Sequence, residues 1–177
     1  MRARRYLPLG AIIFLVVLAI GGYRVLFPHG HRVCRLPCLV SALRGYAADN
    51  DDRFPTGTNS YAALAQIYPR YLKYLPHLAG ISGSEEATTK GILEGTGLSE
   101  GACSWVYHPG LALDDSPELA LIWERNEGLS FNGRRRRGHA VGFVDGAIRQ
   151  IPLREWSTFL EKQARLRSEA EKGRKRL

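Results

Sequence analysis

Four side chains able to ligate metal fall within ten residues of this chain: His29, His31, Cys34 and Cys38. Tetrahedral zinc sites draw on Cys and His at close spacing. This spacing matches no standard finger, and Pro37 restricts the backbone beside Cys38. An ordinary segment flanking the apolar stretch described below is the favoured reading. A metal site, a Cys pair and palmitoylation are the alternatives. Asp49, Asp51 and Asp52 form a second cluster of interest, because hard cations such as Ca²⁺ take clustered carboxylates. A polar loop that ends a helix accounts for them better. Arg134, Arg135, Arg136 and Arg137 form a basic run suited to phosphates or anionic headgroups. A solvated approach to a hairpin is the simpler reading. His139 and Asp145 suggest an acid–base pair, but Asp145 is required by its own turn. No Ser or Cys nucleophile with a nearby base, no phosphate loop and no paired-carboxylate cleft is legible. No catalytic activity, cofactor or small-molecule substrate is therefore expected.

The distribution of charge narrows the classes further. The 177 residues carry a net charge of +8, unevenly placed. Residues 1–35 hold six Arg and no acid, while residues 36–133 hold six basic and twelve acidic residues, a net of −6. After the Arg run, the chain from Arg154 onward has eight basic and four acidic residues. The middle is acidic, which argues against a nucleic-acid groove on the domain and leaves the basic ends as candidates for an anionic surface. Three cysteines, Cys34, Cys38 and Cys103, are too few for a disulfide framework.

Leu7 to Phe27 reads LPLGAIIFLVVLAIGGYRVLF, and twenty-one residues at about 1.5 Å each span roughly 31 Å, a bilayer's hydrocarbon thickness. The sequence thus predicts a retained single-pass transmembrane anchor in the inner membrane, with the lipid bilayer as a partner. A cleavable signal peptide ending near Ala19–Gly21 is the competing reading. Arginines flank both ends, so the positive-inside rule does not fix orientation.

The remaining elements follow from periodicity and turn chemistry. Leu39, Leu43 and Tyr46 predict a helix over Leu39–Ala48, and Ser60 a cap for a short helix, Tyr61–Tyr68. Residues 80–101, rich in Gly, Ser, Thr and Glu, read as a surface excursion. Ser104–His108 and Leu119–Glu124 read as strands. Asp145-Gly146 between apolar runs predicts a two-residue hairpin turn, in which Phe143 faces Ile148. A final helix over Leu153–Glu171 is expected to bury Leu153, Trp156, Phe159 and Leu160, and to fray beyond Gln163.

Three ordered stretches carry a family likeness. They are Tyr46-Ala-Ala-Asp-Asn-Asp-Asp-Arg-Phe-Pro55, Ser104-Trp-Val-Tyr-His-Pro-Gly110 followed by Pro117–Trp123, and Gly138-His-Ala-Val-Gly-Phe-Val-Asp-Gly146. Over roughly 40 to 155 the chain resembles pilin-like proteins related to the type II secretion major pseudopilin. More narrowly it is similar to the subgroup with a C-terminal His, nine residues, then Asp-Gly. Tyr46, Asp49, Asn50, Phe54, Pro55, Tyr107, Pro109, Gly110, His139 and Phe143 are the residues matched, with Asp145 and Gly146 at the turn. Two positions depart from the family. Gly10–Gly22 contains no acid and no prepilin peptidase site precedes it, and Arg135 stands where the motif places its His. The resemblance implies an α+β pilin-like fold comprising a transmembrane helix, a short helical continuation, a small antiparallel sheet and a C-terminal helix. It also implies a structural or interaction role at the cell envelope, with other pilin-like or secretion components as partners and the domain outside the cytoplasm. The organisation expected is a basic terminus over 1–6, an anchor over 7–27, a linker over 28–38, the α+β domain over 39–163 and a charged tail over 164–177. The alternative is a membrane-anchored binding module that sets its basic run and tail against anionic lipid or nucleic acid.

Overall fold

The computed structural model describes residues 6–26, 35–126 and 137–174. The helices are α1 (Tyr6–Leu26), α2 (Arg35–Ala48), α3 (Ser60–Ala65), α4 (Pro76–Ala79), α5 (Glu85–Leu93) and α6 (Trp156–Arg174). The strands are β1 (Trp105–Tyr107), β2 (Ala120–Glu124), β3 (His139–Phe143) and β4 (Ile148–Ile151), forming one antiparallel sheet in the order β1-β2-β3-β4.

The sheet is covered on both faces. α2 places Leu36, Leu39, Val40, Leu43 and Ala47 at three- and four-residue spacing on one stripe, and all are buried. They pack with Leu121, Ile122, Ala140 and Val144 in the main core. Each such Leu contributes about 1.5–3 kcal/mol on burial. Helix and sheet approach closely where β3 lacks a side chain. A Cβ on Gly142 would lie 2.3 Å from Val40 Cγ2 and 3.2 Å from Ile122 Cγ2. On the opposite face, Ala120, Trp123, Val141 and Phe143 form a second cluster against Trp156 and Phe159 of α6. Burial on both sides explains why β2 and β3 are buried at every position rather than at alternate ones.

The alternation of faces along β2 breaks once. Leu121 and Ile122 both belong to the α2-side core, and the β2–β3 register shifts between Ala120 and Ile122. Such a bulge frees a backbone donor. Gln163, only 2% exposed, meets it: its Oε1 accepts from Ala120 N at 2.8 Å and its Nε2 donates to Glu118 O at 2.9 Å.

Several expectations are corrected here. The transmembrane anchor is not supported. Among the described residues no helix is long and apolar enough to cross a membrane. The single-pass membrane reading and the inner-membrane location fall with it. Next, the β3–β4 hairpin pairs Gly142 with Ile148, so Phe143 does not face Ile148. Gly146 N donates to Phe143 O at 3.0 Å and Phe143 N to Ala147 O at 2.9 Å, leaving three residues in the loop. Gly146 alone in that loop takes positive φ, at 88°, so this is a tight turn followed by a left-handed glycine. Residues 80–101 are not a bare excursion. Ser84 caps α5, and Ile81, Thr88 and Gly91 are buried. Asn59, not Ser60, caps α3, its side chain accepting from Ala62 N at 2.8 Å. Finally, Leu153 and Leu160 are exposed, while α6 continues as helix to Arg174.

Candidate functional site

The residues matched to the family motif act mainly as stitching. Asp49 accepts from Arg70 Nη2 at 2.7 Å and from the Tyr71 hydroxyl at 3.1 Å. Asn50 Nδ2 donates to Tyr46 O at 2.7 Å, and the Tyr46 ring meets Tyr71 edge-on at 5.5 Å. Asp51 and Asp52 turn the chain with φ of 51° and 58°. Phe54 N then donates to Leu111 O at 2.9 Å, and Leu113 N to Asp52 O at 2.7 Å. Phe54 is fully buried, and Pro55 O accepts from the Tyr107 hydroxyl at 2.7 Å. Burial pushes the Tyr107 phenol far above its ordinary range. The three aspartates thus sit in a turn, with Asp49 committed to Arg70 and Tyr71.

His139 and Asp145 are not brought together. His139 Nδ1 lies 3.0 Å from Glu124 O, and its ring stacks on Trp156 at 3.8 Å. Asp145 instead accepts from Ala147 N at 2.8 Å and from Arg149 Nη2 at 3.3 Å, closing its own turn. Among the described residues no group of three or more His, Cys, Asp and Glu is arranged to hold a metal. His29, His31 and Cys34 lie outside the described residues, as do Arg134, Arg135 and Arg136, whereas Arg137 is exposed. Cys38 lines an apolar groove of 520 Å³ with Tyr71, Tyr74 and His77. Cys103 is buried, and burial pushes its thiol up to about 11, which suppresses the reactive thiolate.

The arrangement that sequence reading missed lies between the end of β1 and the last turns of α6. Arg167, Glu171 and Arg174 recur at helical spacing and share a wall with His108, Pro109, Gly110 and Leu111 around a cavity of 240 Å³. Arg174 donates to Gly110 O and, at 2.7 Å, to Asp115 Oδ2. Gly110 turns the backbone here with φ of 81°, a conformation that favours glycine. His108 tilts over Trp123 at 4.6 Å, and Arg167 sits over the same indole at 5.7 Å. Arg167 Nη1 lies 2.7 Å from His108 Nδ1. Because a guanidinium only donates, Nδ1 is the acceptor and the imidazole proton resides on Nε2. Burial, reinforced by the Arg167 charge, pushes His108 down to about 3, and burial brings Arg167 down to about 10. These partners are 59 residues apart in the chain, so no local spacing signals them.

No family model, curated protein or solved structure matches this chain.

Proposed function

We propose that the chain is a non-enzymatic structural or interaction protein of the pseudopilin kind, in which an α+β head is carried by a docking helix, α1. One observation carries this reading. Every residue of Gly10–Val25 is exposed, and ten of the fourteen exposed large hydrophobic residues among those described lie in α1, from Ile12 to Val25. Contiguous apolar surface of this kind marks an interaction site, since isolated exposed apolar residues need no explanation but a whole helix does. Other pilin-like or secretion components, or further copies of the chain, are the partners this reading calls for.

The same helix limits what is built. Gly10–Gly22 offers no acid to set the stagger of neighbouring helices, and Arg2, Arg4 and Arg5 add like charge at its start. Small oligomers follow from this, not filaments. The test is light scattering of the purified full chain over a concentration series, beside a Phe14→Glu/Val17→Glu variant. The expected result is a concentration-dependent small oligomer that the variant reduces to monomer. A full chain that stays monomeric throughout would remove the docking role of α1.

A further inference from the structure

The cavity between the β1 end and α6 carries a surplus of hydrogen-bond donors. His108 Nε2, Arg167 Nε, Arg167 Nη2 and Arg174 Nε are buried, and none finds a partner among the described residues. Given the tautomer fixed by Arg167, all four nitrogens bear N–H groups and none can accept. Arg174 is neutralised by Asp115, whose carboxylate is 10% exposed. Arg167 forms no ion pair with any described carboxylate, including Glu171, which is exposed on the cavity wall one helical turn away. An uncompensated, partly buried guanidinium and an orphaned imidazole N–H are costly together, and native interiors leave few such groups without a partner. What these donors lack is an acceptor-only group of negative charge.

We propose that the cavity bounded by His108, Gly110, Arg167 and Arg174 is a binding site for a small oxyanion, a phosphate or a carboxylate. Arg167 is its principal ligand: its Nε and Nη2, the two unpartnered nitrogens, form the two-pronged N–H edge that carboxylate and phosphate oxygens match. His108 contributes a neutral N–H donor from Nε2. Arg174, held by Gly110 O and Asp115, contributes its Nε–H and the positive field of its side chain. The volume sets the size class. At 240 Å³ the cavity is smaller than the roughly 300–1,000 Å³ of pockets for drug-sized ligands, but holds several waters at about 30 Å³ each. A lone anionic group fits, and a nucleotide does not. The site is independent of how α1 is covered.

The test uses the full chain labelled with ¹⁵N, titrated separately with inorganic phosphate and with acetate at constant ionic strength held by chloride. The expected result is a saturable shift of the His108 and Arg167 side-chain nitrogens with at least one of the two anions. Phosphate alone assigns a tetrahedral ligand, acetate alone a carboxylate, and both a general oxyanion site. Arg167→Gln should weaken binding by about tenfold or more, equivalent to about 1.4 kcal/mol. Lys162→Gln, on the same helix and facing Glu118, should leave it unchanged. Should Arg167→Gln fail to fold, Arg167→Lys keeps the charge but loses the fork, and is expected to bind several-fold more weakly. Absence of a saturable shift with both anions, or equal responses in the Arg167 and Lys162 variants, overturns the proposal.

Discussion

At the residue scale, the most consequential side chain is His108, which the fold keeps neutral. Its folded-state value near 3 lies below the ordinary 6.5, so the unfolded chain takes up a proton first as pH falls. The stability tied to His108 is fully present above pH 6.5 and is lost as pH falls from there toward 3, at up to about 1.4 kcal/mol per pH unit. His77 is shifted in the same direction, by burial and then by Arg35, and adds to the same acid-side loss. Urea midpoints of the wild type and of His108→Asn, taken in steps between pH 7 and 4 (about three units, the window set by these shifts), should therefore diverge. The wild type is expected to fall more steeply, while the variant keeps the slope due to His77. Parallel curves would mean that His108 is not held neutral. Nothing in the neighbourhood of His108 in the sequence signals this. Its neighbours are Tyr107 and Pro109, and the cation that governs it arrives from the far end of the chain. Gln163 was equally illegible. It occupies a helix position flanked by charge, and its burial follows from a bulge in β2 that only the assembled sheet creates.

At the element scale, the sequence was informative where a turn or a periodic stripe is local and misleading where faces are decided by contact. Asp145-Gly146 marks the β3–β4 hairpin, because few residue pairs accept so tight a reversal. Its register was off by one, because a two-residue turn needs positive φ at both Asp145 and Gly146, whereas Gly146 alone adopts it and Val144 joins the loop. The far half of α6 was misjudged for a different reason. Its polar residues Gln163, Arg167 and Arg174 face the protein, with Leu166 and Ala170 partly buried among them. A hydrophobic stripe is absent there because side-chain hydrogen bonds and the aliphatic stems of arginine replace it. The α2–β3 contact was likewise invisible, yet it tests the packing most directly. Gly142→Ala drives a methyl into Val40, whose β-branched side chain has little freedom to move away. The expected loss is about 1–3 kcal/mol of unfolding free energy, read as a lower urea midpoint with an unchanged slope. Gly101→Ala, where no atom lies within 4 Å, should cost little by comparison. Equal behaviour of the two variants would remove the close approach of helix and sheet.

At the scale of the whole molecule, composition alone overstated the role of α1. A long apolar run invites a bilayer, but among the described residues no helix is long and apolar enough to cross one, and the apolar side chains from Ile12 to Val25 stand exposed. The head is organised as one sheet between two unlike layers: a main core under α2, and a smaller aromatic and cationic layer under α6. That division has a spectroscopic consequence. Trp105, 1% exposed, belongs to the α2 side, with its indole N–H donating to His77 O at 2.8 Å. Trp123 and Trp156 meet edge-to-face at 5.8 Å on the α6 side, beside the imidazoles of His108 and His139. The emission of the folded protein is therefore the sum of a sealed fluorophore and a coupled pair that reports only on its own layer. Layers of unequal burial open at unequal free energies. Denaturant should red-shift the pair before the far-ultraviolet signal of the sheet is lost, and Trp156→Phe should abolish most of that early change. Coincident fluorescence and dichroism transitions in the wild type would instead show that the two faces of the sheet dissolve together.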